Sequence, residues 1–312
     1  MQFKEIILEI SHNCNLSCIM CGFGYKLNPP TSDKFMKKEI FYKLVDELAP
    51  QTKTLRLNGR GESCIHPDFI DMLLYVHNNH PSININLFSN MSFNNRKLLN
   101  ILKNCNVQLF ISFDSNLKKT LEEIRCGANY DYIIENIALL KDYSIRPFIC
   151  MTLQEKNISE IYDMGFFAFK HKCSIIYNTV RSDEKKYIQG FINKIENSVS
   201  KIKEDFSEIE QLYANNKDQL KCLIPNQMAG ILISNNKFTK THGFLNHCPA
   251  LDSELCILYN GDVTPCNMFN PYVYGNIHKD SLEKILKSKE CLSFKQTYKS
   301  CEYCMNCANL GV

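Results

Sequence analysis

The chain has 312 residues, 45% of them hydrophobic and 22% charged, a composition that supports a sizeable core and excludes global disorder. Its 36 basic and 33 acidic residues leave a net charge of +3, which gives no electrostatic case for nucleic acid or a membrane surface. The anomaly is its 16 cysteines: too sparse for a small disulfide scaffold, in a chain too long to need one.

Residues 3–10 read as a strand that ends just before a cysteine loop. Lys4, Glu5 and Glu9 interrupt its apolar run, so it lacks the uncharged core of a signal peptide. Nor does any window reach the roughly 18 uncharged apolar residues of a membrane span. The expected location is the cytoplasm, where thiols stay reduced.

Ile40, Phe41, Leu44, Val45 and Leu48 give residues 38–49 a helical period, stopped by Pro50. A second strand covers 52–57 and runs into Asn58-Gly-Arg-Gly; Pro67 opens a helix to about Asn78. Residues 83–88 alternate cleanly as a third strand. Further strands are expected at 107–113, 145–153 and 174–180, with helices at 94–104, 117–125, 130–141 and 157–170. Six strand–helix repeats over about 180 residues predict an α/β fold, a parallel sheet with right-handed crossovers. The ligand end of such a sheet is the carboxyl end of its strands.

Residues 183–222 are rich in Lys, Glu and Asp and carry apolar residues at helical spacing, which predicts one or two amphipathic helices packed on the barrel as a solvated insert. A lid touching substrate is the alternative. Residues 255–266 read as a hairpin around Asn260-Gly261, and 280–288 as a short helix. The expected divisions are 1–180 (barrel), 181–245 (helical insert or linker) and 246–312 (a small cysteine-rich domain).

The cysteines fall into groups. Cys14, Cys18 and Cys21 occupy the loop after the first strand. Thiolates suit iron–sulfur clusters or zinc. A closed zinc site wants four ligands, and His12 is awkwardly spaced to be the fourth. A [4Fe–4S] cluster with three cysteines keeps one iron open for a substrate or cofactor.

Cys-x3-Cys-x2-Cys after a first strand resembles the signature of the radical S-adenosylmethionine (SAM) superfamily. The resemblance implies a partial (β/α)6 TIM-type barrel in which the open iron is chelated by SAM. There SAM is cleaved to a 5′-deoxyadenosyl radical that abstracts a substrate hydrogen. Gly59-Arg-Gly61-Glu62 is similar to the family's Gly-Gly-Glu motif, where glycines let backbone carbonyls approach the SAM ammonium and Glu62 assists or braces the loop. Ser89 and Asn90 stand where Thr-Asn-Gly is common, and Ser112 opens a Ser-x-Asp segment. Arg125 matches an arginine that pairs with the SAM carboxylate; an ordinary surface ion pair is the alternative. Thr152 ends the fifth strand, near the expected adenine position. One departure is Met20, where an aromatic residue usually precedes the third cysteine.

Cys248, Gly261 and Cys266, followed by Cys301 and Cys304, resemble the opening of SPASM and twitch extensions. The resemblance implies a second, auxiliary [4Fe–4S] cluster held by Cys248, Cys266, Cys301 and Cys304, with Cys307 as a replacement or surplus ligand. A zinc ribbon is the alternative. Cys256 and the singly placed Cys64, Cys105, Cys126, Cys150, Cys173, Cys222 and Cys291 are expected to be packing residues. Cys222, Cys150 and Cys64 are also candidate hydrogen donors for an epimerase.

The implied activity is modification of a peptide by oxidation, crosslinking or epimerisation. The alternative is a dehydrogenase of a small polar metabolite such as a sugar or aminocyclitol. A non-catalytic iron–sulfur or zinc protein would have no need of Gly59, Gly61 and Ser112 beside the cysteines. Expected partners are the substrate, an external one-electron reductant of flavodoxin or ferredoxin type and a separate peptide-recognition protein.

Overall fold

The computed structural model describes residues 2–21, 29–180, 185–216, 220–224, 248, 250–267, 272–301 and 304. Its strands are β1 (Glu5–Leu8), β2 (Ser17–Cys18), β3 (Thr54–Arg56), β4 (Asn84–Ser89), β5 (Val107–Ser112), β6 (Arg125–Cys126), β7 (Phe148–Leu153), β8 (Ser174–Thr179), β9 (Cys222–Leu223), β10 (Glu254–Ile257), β11 (Asp262–Thr264) and β12 (Gly275–Asn276). Its helices are α1 (Lys38–Leu48), α2 (Phe69–Asn79), α3 (Arg96–Leu102), α4 (Lys118–Ile124), α5 (Tyr130–Asp142), α6 (Ile161–Lys170), α7 (Lys185–Glu196), α8 (Val199–Ala214), α9 (Ala250–Ser253), α10 (Leu282–Leu286) and α11 (Lys289–Thr297).

All six expected strand–helix repeats are present. Asn95 caps α3 by accepting the Leu98 N–H at 3.0 Å, and Asn129 caps α5 by accepting that of Tyr132 at 3.0 Å. The main sheet runs β12-β11-β10-β1-β3-β4-β5-β7-β8-β9, with every pair from β10 to β9 parallel and the two hairpin pairs antiparallel. It is an open, mostly parallel α/β sheet, as expected of a partial barrel. It also reaches further than six strands. β9 adds a parallel strand beside β8, and β10 of the C-terminal hairpin pairs with the free edge of β1.

Side chains alternate between two faces. Ile6 and Leu8 of β1 join Phe41, Leu44 and Val45 of α1 in the main apolar core. Ile7 lies on the other face, with Cys256 and Leu258 of the hairpin. On that inner face Phe88, Phe110 and Phe148 stand in register on three adjacent strands and stack at 4.3 and 5.2 Å. The Arg56 guanidinium sits 5.0 Å above Phe88 and 2.5 Å from Glu5.

The charged segment after residue 183 forms two helices. α8 packs on α6, burying Ile202, Phe206 and Ile209, with the Tyr213 hydroxyl 3.1 Å from the Gly165 carbonyl. No helix among the described residues is long and apolar enough to cross a membrane.

Candidate active site and second cysteine pocket

The loop after β1 is anchored before it reaches its cysteines. Glu9 is fully buried; it accepts the Arg60 N–H at 2.7 Å and lies 2.9 Å from His12 Nδ1. Asn13 is locked to Thr31 by two bonds: its Nδ2 donates to the Thr31 carbonyl at 2.8 Å, and its Oδ1 accepts the Thr31 N–H at 3.1 Å. Cys14, Cys18 and Cys21 follow, all half-buried and none in a disulfide.

Cys14 Sγ accepts the Leu16 N–H at 3.4 Å, and the Cys21 N–H donates to the Cys18 carbonyl at 3.0 Å. Burial pushes the Cys14 thiol up to about 12, and Glu62 and the other two thiols add to the shift. Cys18 is pushed up to about 11, again chiefly by burial, with Arg125 opposing. Three soft donors close enough to repel one another as thiolates form a set that a cationic group satisfies. That is the chemistry an iron–sulfur cluster needs. Among the described residues, no three His, Cys, Asp or Glu side chains converge on one metal-ion position.

Gly59 and Gly61 press against this loop. A Cβ on Gly61 would come within 3 Å of the backbone of Ser11, His12 and Asn13, and one on Gly59 would run into the Glu9 side chain. The close approach that demands glycine is therefore to the chain's own segment 9–13. Glu62 braces the same junction. Its N–H donates to the Asn13 carbonyl at 2.8 Å, while its buried carboxylate accepts the Asn90 N–H at 2.8 Å and the Cys64 N–H at 3.1 Å.

The loop after β4 continues the network. Asn90 Nδ2 donates to Asn15 Oδ1 at 2.9 Å, and Asn15 Nδ2 to the Ser92 carbonyl at 3.1 Å. Ser89 Oγ accepts the Met91 N–H at 3.1 Å. Met91 adopts a left-handed φ of +52°, uncommon for a side chain of its size, with that side chain fully buried.

Arg125 is no surface residue. Only 8% exposed, it sits on β6, paired with Cys18 of β2, and its Nε lies 2.8 Å from Asp114 Oδ2. Its Nη1 donates to Cys18 Sγ at 3.8 Å. Burial acts against its charge, but Asp114 and Cys18 outweigh burial and hold the guanidinium firmly protonated. Asp114 Oδ1 also accepts the Thr152 N–H at 2.7 Å. Ser112 is half-buried and stands in register with Cys150 of β7.

Of the candidate hydrogen donors, Cys150 shares the inner face with Ser112, and burial pushes its thiol up to about 12. Cys222 differs. It pairs with Ile175, on the helix-covered face, and therefore stands apart from the others. Cys64 lies beside Ser89 Oγ at 3.5 Å. Among the other single cysteines, Cys173 and Cys291 are buried, whereas Cys105 and Cys126 are half-buried.

The second set surrounds the hairpin. Gly261, with φ +86°, makes the expected turn after Asn260. Cys248, Cys266, Cys301 and Cys304 are half-buried, Cys256 is fully buried against Ile7, and Cys307 lies outside the described residues. The Cys248 N–H donates to the Tyr298 hydroxyl at 3.2 Å. His12, just before the first cysteine loop, stacks on Tyr259 at the hairpin turn at 5.0 Å, so the hairpin touches the segment that leads into the first cysteines.

Three residues of this network, Glu9, Asn15 and Asn157, lie outside the motifs read from sequence, and Asp114 was read only as part of the Ser-x-Asp segment, with no role of its own. Asn157 Nδ2 donates to the carbonyls of both Asp114 and Thr152 at 2.9 Å. The available signal was position, since each sits at or just past a strand's carboxyl end.

Comparison with known proteins agrees with this geometry. A family model described as the radical SAM superfamily matches residues 8–168, and a SPASM iron–sulfur cluster-binding domain matches 248–308. The antilisterial bacteriocin subtilosin biosynthesis protein AlbA of Bacillus subtilis is 27% identical over 292 residues, covering 90% of this chain and 58% of AlbA. Streptococcus suis SuiB bound to its precursor peptide SuiA superposes with a TM-score of 0.71 at 15% identity, covering all of this chain and 71% of SuiB. The structure of anSMEcpe with bound AdoMet and Cp18Cys peptide gives 0.68 at 16%, covering 98% and 87%. The chain belongs to the radical SAM superfamily, carries a C-terminal SPASM iron–sulfur domain and shares that family's cofactors, [4Fe–4S] clusters and SAM.

Proposed function

We propose that the chain is a radical SAM enzyme that modifies a peptide. In this reading Cys14, Cys18 and Cys21 hold the SAM-binding cluster, and Cys248, Cys266, Cys301 and Cys304 hold an auxiliary one. A cluster held by Cys14, Cys18 and Cys21 would supply one-electron reduction of bound SAM, the chemistry by which SAM would yield a radical able to abstract a substrate hydrogen.

The residues around the cluster act as positioners. Gly61 and Glu62 fix the loop that carries the cysteines. Arg125 presents positive charge to the SAM side of the site while Asp114 holds it in place. Ser112, Thr152, Ser89 and Asn90 line the strand ends around SAM. Residues 1–180 serve as the barrel, 181–245 as a packed helical segment and 246–312 as the cluster domain.

The observation that carries the proposal is the joining of the C-terminal hairpin to the strand and loop that lead into the first cysteine set. Parallel pairing of β10 with β1 and the His12–Tyr259 stack make one sheet of the barrel strands and the cluster-domain hairpin. The peptide class is supported by the relatives: AlbA is a bacteriocin biosynthesis protein, and the SuiB and anSMEcpe structures hold peptides. A flavodoxin- or ferredoxin-type reductant supplies the electron in the reducing cytoplasm, and a separate recognition protein delivers the peptide.

The test is mass spectrometry of short peptides encoded beside the gene, incubated with reconstituted protein, SAM and reductant. Oxidation or crosslinking removes two hydrogens per site, and epimerisation in deuterated water replaces one hydrogen with deuterium. Unmodified peptides alongside turnover of a sugar or aminocyclitol contradict the peptide reading.

A further inference from the structure

Tyr274, immediately before β12, is 6% exposed, and its hydroxyl has no hydrogen-bond partner among the described residues. Buried tyrosine hydroxyls normally find one. The residue is otherwise firmly held. Its N–H donates to the Val263 carbonyl at 2.8 Å, and its ring packs edge-on against Tyr272 at 6.2 Å and Phe294 at 5.9 Å. The hydroxyl is closed off from water.

Its surroundings are cysteines. Cys291, Cys266, Cys304 and Cys248 all lie close enough to act electrostatically on the phenol, which burial first and these thiols second keep protonated. Three of them, Cys248, Cys266 and Cys304, come from separate segments of the chain and belong to the ligand set proposed above. Cys291 is fully buried and outside that set, and it does not bond the hydroxyl.

We infer that the Tyr274 hydroxyl donates a hydrogen bond to a sulfur of the auxiliary cluster and thereby raises that cluster's reduction potential. The inference rests on the reading that the second cysteine set holds a cluster. A donor to cluster sulfur stabilises the more negative, reduced state, and hydrogen bonds to the sulfurs are a main determinant of such potentials. Tyr274 is therefore a positioning residue that sets how readily the auxiliary cluster accepts an electron.

The test uses the full chain with Cys14, Cys18 and Cys21 replaced by Ala, so that only the auxiliary cluster contributes. It is reconstituted anaerobically and titrated with EPR detection. Tyr274→Phe is expected to keep the iron and sulfide content, lower the midpoint potential and abolish an exchangeable-proton coupling to the reduced cluster. An unchanged potential with the coupling retained overturns the inference. Should Tyr274→Phe lose the cluster, 3-fluorotyrosine at position 274 keeps the hydroxyl and makes it a stronger donor; the potential then rises, and no rise overturns the inference. Absence of iron in the parent protein defeats the auxiliary-cluster reading itself, a result distinct from an unmoved potential.

Discussion

Arg125 Nε lies 2.8 Å from Asp114 Oδ2, and both side chains are closed off from solvent. The same guanidinium reaches Cys18, so one buried ion pair ties the β5 strand end to the cysteine loop. Removing one partner of such a pair strands a buried charge, which typically costs about 3–5 kcal/mol. Arg125→Met is expected to lower stability by about that amount in chemical denaturation. Arg125→Met combined with Asp114→Asn loses less than the sum of the two single changes. Additive losses would show that the pair is not coupled.

Gly61→Ala tests the packing of the cysteine loop. The added Cβ meets backbone atoms of Ser11, His12 and Asn13, so the loop itself must shift. Iron in the reconstituted protein is expected to fall from about eight per chain to about four, the auxiliary cluster remaining. Full iron content in the variant would show that the close approach is dispensable.

Glu62 gives a pH dependence with a definite sign. Burial pushes its carboxyl above the usual glutamate range, against the opposing N–H donors of Asn90 and Cys64. A raised folded-state value means that the protonated form is favoured in the fold. Its contribution to stability is complete below the ordinary value of about 4.3 and is lost as pH rises through the raised one. The stability of the cluster-free wild type minus that of Glu62→Gln is therefore expected to fall as pH rises above about 4. A difference that grows with pH contradicts the assignment. Urea midpoints across a pH series measure it.

Much of this was legible in the sequence. Period-2 and period-3.6 patterns located all six strand–helix repeats, because each is long enough to show its apolar face. The two-residue strands β2, β6, β9 and β12 were not legible, since two residues carry no period. That gap hid the pairing of Cys18 with Arg125. α11 was also missed: few of its nine residues are apolar, and only Cys291 and Phe294 are buried. The Gly59–Gly61 motif was visible, but its packing partner was not, because the Glu9–Asn13 backbone is about 50 residues away in sequence and nothing local marks the contact.

The helical segment after residue 183 is structural in this account. Ile209 of α8 is fully buried in the main core, and α8 packs on α6. Ile209→Ala is expected to cost about 2–5 kcal/mol through lost burial and the cavity left behind. SAM cleavage by protein that remains folded is expected to be unaffected. A stability change within error would place α8 outside the cooperative core.

The central claim is that Cys14, Cys18 and Cys21 carry the cluster that cleaves SAM. The most direct measurement is release of 5′-deoxyadenosine from SAM by the anaerobically reconstituted protein under a one-electron reductant. The wild type is expected to release it, and the Cys14, Cys18, Cys21→Ala variant to release none while retaining about four irons in the second site. Release by the triple variant at the wild-type rate would contradict the account.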